Sequence, residues 1–311
     1  MDGGLSCDWL VPFRVDIPLT LAVHWRGRGD PVFRTDPSGA VWRTSLTPAG
    51  PATVRLTSAD GGRIDPGSYI RATAWGEGAR WLLARVPDLL GARDDPAAFR
   101  PQHPRLRELV SRHAGLRIGR TDRVLEALVP VVLEQKVLGL EAHRAWRNLL
   151  RWHGLPAPGP APAGMRVFPP PATWQAIPSW DWHRAGVEAV RARTISGAAA
   201  VAGRLEATAT MPGAEADRLL RSLPGIGPWT AAEIRQRAGG DADAVSVGDY
   251  HLPAAVGWTL AGERNADDAR MLELLAPYPG QRYRVTRLIE LSGGGPPRRG
   301  PRLALRDYRG Y

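Results

Sequence analysis

The chain has 311 residues, a formal net charge of +10 and a single cysteine, Cys7. A single cysteine excludes a disulfide within the chain and a four-cysteine iron–sulfur cluster, and the length suggests two domains. No apolar run approaches the roughly 20 residues of a membrane span, and the N-terminus lacks a basic stretch followed by a long apolar one. We therefore expect no membrane association and a cytoplasmic location.

Arginine supplies almost all of the positive charge, because Lys136 is the only lysine among the 41 basic residues. A pI of about 10.7 suits a polyanionic partner, although charge alone says nothing about the fold. The abundance of arginine, alanine, glycine and proline is also what a GC-rich coding bias produces. The seven histidines contain no pair at helical metal-ligand spacing, so we expect no metal site and no cofactor.

The first quarter of the chain has the pattern of strands and turns. Residues 14–25 alternate in part between apolar and polar side chains, and residues 31–47 contain two strand-like runs around a turn at residues 36–39. Residues 78–91 then have the composition of a helix. The region predicts a small sheet-rich domain with at least one helix.

Helical segments follow a linker at residues 92–104. Residues 104–113 predict one helix, and residues 123–154 repeat apolar side chains at helical spacing. Pro130 interrupts the second segment, which therefore predicts either one kinked helix or two helices with a break near residues 136–139.

Residues 154–178 are rich in proline, alanine and glycine and predict a surface loop, with local order expected around Phe168 and Trp174. The helical pattern returns over residues 181–208 and again over residues 214–223. We therefore expect the chain to be mainly helical on both sides of this loop.

The sequence Leu-Pro-Gly-Ile-Gly-Pro at residues 223–228 joins the last of these helices to a further helical run. Gly225 and Gly227 can adopt positive φ and let another chain come close, and Pro228 suits the first turn of a helix. The free N–H groups of that helix start can bind an anion, and on a basic protein we expect a nucleic-acid phosphate. A tight helix–helix turn without a ligand explains the same residues equally well.

Asp249 lies about twenty residues beyond this turn, in a loop before an apolar helical run at residues 252–260. A carboxylate in this place can cap the helix or face a cleft, and the two roles are compatible. Residues 265–294 predict a helix, a turn and a last helix. The arginine-rich residues 296–311 predict a basic tail that adds non-specific affinity for DNA.

The stretch 219–252, with its LPGIGPWTA and the Asp of VGDY, resembles the helix-hairpin-helix (HhH-GPD) DNA glycosylase superfamily, and within it the bacterial 3-methyladenine DNA glycosylase II branch. Usable motifs extend over residues 115–291. The resemblance implies an α+β fold, in which a small antiparallel sheet-rich domain (1–95) precedes an all-α helix-hairpin-helix glycosylase domain (96–295). Residues 296–311 form the tail.

The resemblance also implies site residues. Asp249 matches the catalytic aspartate, and Gln135 and Lys136 match the segment that wedges into the DNA stack. The branch usually has an apolar wedge after the glutamine, whereas this chain has Lys136, whose alternative role is that of a solvent-facing helix-end lysine. The DNA phosphate is expected at four hairpin residues, Gly225, Ile226, Gly227 and Thr230.

The residue type at position 229 distinguishes glycosylases that also cut the DNA strand from those that only remove the base. Superfamily members that also cut the strand carry a lysine there to form a Schiff base, whereas this chain has Trp229, which implies a monofunctional enzyme. Trp229, Tyr250 and Glu233 are the expected base-pocket residues, although Trp229 also suits the core of the hairpin. Glu233 and Ile289 stand where the branch often has aromatic side chains, so specificity for alkylated purines is less well supported than glycosylase activity.

The expected function is that of a monofunctional DNA glycosylase of base excision repair, which flips out a damaged, alkylated purine and hydrolyses its N-glycosidic bond. The expected partner is double-stranded DNA containing a damaged base, bound by a nucleoid-associated monomer. A catalytically weak DNA-damage-binding module of the same fold is the alternative. Asp249 argues against that alternative, because binding alone does not require its carboxylate.

Overall fold

The computed structural model describes residues 3–58 and 62–297 of the chain. Within these ranges an antiparallel sheet is combined with many α-helices, as the sequence predicts. No helix in the described ranges is long and apolar enough to cross a membrane. Residues 298–311, most of the predicted basic tail, lie outside the described residues.

The strands of the described ranges are short and belong to three sheets. They are β1 (Leu5–Leu10), β2 (Val15–Asp16), β3 (Phe33–Thr35), β4 (Val41–Thr47), β5 (Gly50–Thr57), β6 (Arg63–Ile64), β7 (Tyr69–Trp75), β8 (Leu155–Pro156) and β9 (Arg166–Val167). Five of them form an antiparallel sheet in the order β1-β7-β5-β4-β3, while β2 pairs with β6 and β8 with β9.

The helices occupy most of the chain after residue 78. They are α1 (Ile17–Leu21), α2 (Ala79–Leu89), α3 (Pro104–Arg112), α4 (Val124–Leu133), α5 (Gly139–His153), α6 (Pro171–Ala176), α7 (Ser179–Ala185), α8 (Ala189–Ala200), α9 (Ala202–Glu206), α10 (Gly213–Arg221), α11 (Pro228–Ile234), α12 (Leu252–Ala261), α13 (Asp268–Leu275) and α14 (Arg282–Leu291). Of the two alternatives for residues 123–154, the structure has two helices, α4 and α5.

The turn predicted at residues 36–39 is confirmed, and it joins β3 to β4 with Phe33 opposite Arg43. The Asp36 carboxylate closes the turn, because it accepts hydrogen bonds from the Ser38 and Ala40 amides and from the Trp42 indole. Such a carboxylate satisfies backbone donors that the turn would otherwise leave unpaired.

The strand pattern predicted over residues 14–25 is wrong for most of that segment. Only β2 is a strand, and α1 and a 3-10 turn (Ala22–His24) follow it. Asp16 caps α1 by accepting a hydrogen bond from the Leu19 amide at 2.8 Å, and Pro18 occupies the first turn. These local start signals outweigh the weak alternation of the segment.

The surface loop predicted over residues 154–178 is also more ordered than its composition indicates, since it contains β8, β9 and α6. The order expected around Phe168 and Trp174 is confirmed. Both rings are buried, and their centroids lie 5.2 Å apart. The segment also contacts the sheet, because the Thr44 hydroxyl donates to the Arg166 carbonyl at 2.5 Å.

Among the residues that the structure describes, buried apolar side chains form three clusters. The first lies between the five-stranded sheet and α2. The second joins the helices from α4 to α11, and the third joins α3 to α12, α13 and α14. The chain therefore crosses from the second cluster to the third along the loop before α12, and this crossing positions the candidate site.

Glu126 of α4 attaches the helices to the sheet. Its carboxylate accepts hydrogen bonds from the Leu46 amide at 2.6 Å and the Ser45 hydroxyl at 2.8 Å, and it pairs with Arg43 at 3.2 Å. The side chains of Arg43 and Glu126 are each 8% exposed. A charge buried to this extent is tolerated only while its partners are present.

We predict that Glu126→Ala lowers the free energy of unfolding by about 3–5 kcal/mol, because it leaves Arg43 as an unpaired buried charge. Urea-induced unfolding measures this change. Glu108→Ala is the control, since Glu108 is 47% exposed and pairs with Arg105 and Arg112 on the surface of α3. It should change stability by less than about 0.5 kcal/mol. Equal effects of the two substitutions would contradict the prediction.

Candidate active site

The turn between α10 and α11 has a backbone that only glycine permits at residue 225. Gly225 has a φ of 87°, which lies in the left-handed region. A Cβ atom placed there would be 2.1 Å from the Thr194 hydroxyl oxygen. The neighbouring Ile226 buries its side chain in the second cluster, and its amide donates to the Leu223 carbonyl at 3.1 Å. The turn is therefore held against the helices from both sides.

The start of α11 presents backbone N–H groups. Gly227 precedes the helix, Pro228 occupies its first turn, and no side chain caps it. In the described part of the chain, no group accepts a hydrogen bond from the amides of Gly225 or Gly227. Thr230 differs, because its side chain is buried and its hydroxyl is engaged inside the protein. A phosphate contact of Thr230 therefore requires its backbone amide.

Gln135 connects the break between α4 and α5 to this turn. Its side-chain amide donates to the Gly225 carbonyl and to the Thr230 hydroxyl, each at 2.9 Å. The next residue, Lys136, is exposed and has a φ of 55°, which is unusual for a residue with a Cβ. Gln135 is thus directed at the hairpin, and Lys136 extends from the surface beside it.

Asp249 is held from three directions. One carboxylate oxygen, Oδ1, accepts hydrogen bonds from the His251 and Leu252 amides at the start of α12, both at 2.8 Å. The other, Oδ2, accepts from the indole nitrogen of Trp229 at 3.1 Å. Asp249 therefore bonds the amides at the start of α12, as a capping residue does, and it is in direct contact with Trp229.

Glu233 lies one turn after Trp229 on α11 and contacts the same loop. Its Oε1 accepts a hydrogen bond from the Ser246 hydroxyl at 2.5 Å, and its Oε2 pairs with Arg237 at 2.6 Å. The Ser246 hydroxyl also accepts from the Gln236 side chain at 2.9 Å. The loop that carries Asp249 is therefore fixed to α11 at two points.

Arg237 links this network to the N-terminal region, because its Nε donates to the Val23 carbonyl at 3.2 Å. Burial alone would lower the pKa of Arg237. The Glu233 carboxylate, together with Tyr283 and Glu134, outweighs burial and raises the pKa above its usual range. The guanidinium therefore stays charged.

The predicted residues thus divide into two groups. One group is connected by hydrogen bonds and contains the hairpin turn together with Gln135, Trp229 and Asp249. Tyr250 lies outside that group, because it is 86% exposed and its ring contacts His251. Sequence reasoning missed Ser246, Gln236 and Arg237. Only Arg237 had a signal, namely its spacing of four residues from Glu233 on one helix.

Among residues 3–58 and 62–297, no three histidine, cysteine, aspartate or glutamate side chains are grouped so that they could hold a metal ion.

The chain is similar to curated proteins and to solved structures, while no protein-family model matches it. The chain is 32% identical over 227 residues to the "probable bifunctional transcriptional activator/DNA repair enzyme AlkA" of Mycobacterium tuberculosis. This match covers 70% of the chain but 43% of the relative. The chain therefore spans less than half the length of the curated relative it matches.

Two solved structures share the architecture over almost their whole lengths. The 3-methyladenine DNA glycosylase from Archaeoglobus fulgidus has a TM-score of 0.75 at 18% identity, over 92% of this chain and 98% of that chain. The 8-oxoguanine glycosylase/lyase of Clostridium acetobutylicum, in complex with double-stranded DNA, has a TM-score of 0.67 at 13% identity, over 93% of this chain and 97% of that chain. The fold resemblance predicted from the sequence is confirmed.

We predict that Gly225→Ala destabilises the protein by about 2–5 kcal/mol, because alanine at positive φ is strained and its Cβ overlaps Thr194. Thermal and urea-induced unfolding measure the change. The control is Gly197→Ala in α8, where a Cβ meets nothing within 4 Å. Alanine should stabilise that helix position by about 0.5–1 kcal/mol. Unchanged stability of Gly225→Ala would show that the turn does not need glycine.

Proposed function

We propose that this chain, which has the fold of the helix-hairpin-helix DNA glycosylases, is a monofunctional DNA glycosylase that removes damaged, alkylated purines from double-stranded DNA. The observation that carries the proposal is the contact of Asp249 with Trp229 beside the hairpin turn. A carboxylate, an aromatic ring and free backbone amides are what excision of a flipped base requires. The naming of the curated relative as a DNA repair enzyme supports the same conclusion.

Asp249 is the proposed catalytic residue. As the N-glycosidic bond breaks, positive charge develops on the sugar, and a fixed carboxylate beside it stabilises that charge. The carboxylate also orients the attacking water or accepts its proton. Three hydrogen bonds already orient the carboxylate, so little reorganisation is needed when the sugar arrives.

DNA is proposed to contact the surface formed by the hairpin and the break after α4. The phosphate beside the lesion would be bound by backbone amides of the hairpin, at Gly225, Ile226, Gly227 and Thr230, and the Ile226 amide would have to leave its present acceptor. Lys136 would enter the gap left by the flipped nucleotide, because its methylene stem is apolar and its ammonium group can reach a phosphate. Gln135 supports that segment from the hairpin side.

The flipped base would lie against Trp229, with Tyr250 as a further pocket residue. Glu233, the third residue that the sequence predicts for the pocket, has both oxygens engaged by Ser246 and Arg237. An alkylated purine is electron-poor and stacks favourably on an indole. Because the base is already a good leaving group, little acid catalysis is needed. Trp229 also stands where a Schiff-base lysine would be required for strand cleavage, so the reaction should stop at an abasic site.

The domain division is proposed on the same basis, as a sheet-rich domain at 1–95, a glycosylase domain at 96–295 and a basic tail at 296–311. The hydrophobic clusters support the first boundary, because the buried members of the sheet cluster all precede residue 91 and those of the helical clusters all follow residue 98. A cytoplasmic, nucleoid-associated monomer stays the expectation.

Base release from methylated duplex DNA tests the proposal. We expect wild-type protein to release methylated purines and Asp249→Asn to be slower by about two orders of magnitude or more, since each 1.4 kcal/mol of lost transition-state stabilisation costs tenfold. Asp267→Asn is the matched control, because Asp267 also caps a helix, α13, through the Arg270 amide. Its rate should equal that of the wild type.

Two results would contradict this prediction. Equal rates for wild type and Asp249→Asn would remove the catalytic role of Asp249. Release of no base by either protein, with lesion-containing DNA still bound more tightly than undamaged DNA, would instead favour a binding module.

Borohydride trapping on lesion DNA tests the monofunctional mechanism. No covalent adduct is expected, because the only lysine is Lys136 and no lysine stands at position 229.

Lys136→Ala should weaken DNA binding and reduce the slope of its salt dependence by about 1, as expected for one lost phosphate contact. Arg14→Ala, which removes a 59% exposed positive charge from the sheet-rich region, is the control. A borohydride-trapped adduct that forms with the wild type and disappears in Lys136→Ala would refute the monofunctional mechanism.

A further inference from the structure

We propose that Glu233 is a positioning residue, which fixes the Asp249 loop through the Ser246 hydroxyl. The inference rests on the proposed function, and it assigns to Glu233 a task other than contact with the base. The first observation is that Trp229 and Glu233, on one face of α11, contact the same loop at Asp249 and at Ser246. One helix thus holds the loop at two points three residues apart.

Ser246 transmits this restraint to Asp249. Its side chain donates to Glu233 and its carbonyl accepts the Asp249 amide at 3.2 Å. Ser246 is 4% exposed, so neither contact is exchanged with bulk water. Ser246 therefore connects Glu233, through its side chain, to the Asp249 amide, through its backbone.

The direction of the hydrogen bonds is determined by the partners. The Gln236 side-chain nitrogen has two hydrogens, and it donates one to the Ala244 carbonyl and the other to the Ser246 hydroxyl. Since the Ser246 oxygen accepts there, its own hydrogen is free to be directed to Glu233. Glu233 is an obligate acceptor, because it is an anion paired with Arg237.

The geometry leaves Glu233 little capacity for a ligand. One oxygen is engaged by Ser246, the other by Arg237, and the side chain is 14% exposed. The Arg237 guanidinium is itself fixed, because it also donates to the Val23 and Glu233 carbonyls. Glu233 is therefore a rigid part of the scaffold behind Trp229.

Single-turnover base release and lesion-DNA affinity, measured separately, test the inference. Ser246→Ala removes the hydroxyl but leaves the Glu233–Arg237 pair intact, so it avoids an unpaired buried charge. We expect both Ser246→Ala and Glu233→Ala to slow base release by about 10- to 100-fold with little change in affinity, because displaced catalytic groups lose rate rather than binding. Glu233→Gln keeps an acceptor for Ser246 but not the charge that pairs with Arg237, so it should be faster than Glu233→Ala without reaching the wild-type rate.

A double-mutant cycle distinguishes positioning from independent effects. Because the two residues act through one hydrogen bond, the double variant should be no more than about threefold slower than the slower single variant. Ser38→Ala is the matched control, since the Ser38 hydroxyl donates to a carboxylate, Asp36, at 2.5 Å in the sheet region. Its rate should equal that of the wild type.

The possible failures are separable. If the wild type releases no base, the proposed function fails. If the wild type is active and Ser246→Ala retains full rate, the positioning inference alone is overturned. A Glu233→Ala variant that changes which bases are released, while Ser246→Ala does not, would assign Glu233 to the base contact and overturn the inference as well.

Discussion

The hydrogen bond from the Trp229 indole to the Asp249 carboxylate sets the geometry of the candidate site, because it joins two separate hydrophobic clusters. Trp229 lies on α11, which packs in the second cluster, and Asp249 precedes α12, which packs in the third. Apolar packing within each cluster does not fix the distance between them. A directional polar contact can, and here the carboxylate is also held by two amides of α12, so neither partner can reorient freely.

The contacts next to Trp229 and Asp249 form a connected series of hydrogen bonds. Gln135 holds the Gly225 carbonyl and the Thr230 hydroxyl, so the break after α4 moves together with the hairpin. Thr230 directly follows Trp229, and Trp229 contacts Asp249. A DNA backbone that contacts the hairpin amides would therefore be placed at a fixed distance from the carboxylate. Gly225 is the position in this series that tolerates substitution least, since any Cβ there overlaps Thr194.

Much of this arrangement could be predicted from the sequence, because its signals are local. Gly225, Gly227 and Pro228 specify the hairpin turn, and apolar spacing specifies the helices on either side of it. The sequence predictions failed where tertiary contacts determine the local structure. Residues 154–178 have the composition of a loop, yet they contain β8, β9 and α6, and the Arg166 carbonyl accepts a hydrogen bond from Thr44 of the sheet. Likewise, Ser246 and Gln236 carry no pattern that would identify them, because their partners lie 8 to 13 residues away along the chain, a separation that no helix or strand period indicates.

The arginine content shows a further property that composition alone does not predict, namely which arginines have a structural role. The sequence left two explanations for it, attraction to a polyanion and coding bias, but several arginines have a structural role. Arg26, Arg43 and Arg284 are buried, and each pairs with a carboxylate, Glu134, Glu126 or Asp94. Arginine suits such sites because its planar guanidinium donates several hydrogen bonds in fixed directions. Each buried pair is neutral, so the net charge of +10 is carried by other residues of the chain. An excess of positive charge of this kind favours association with a polyanion.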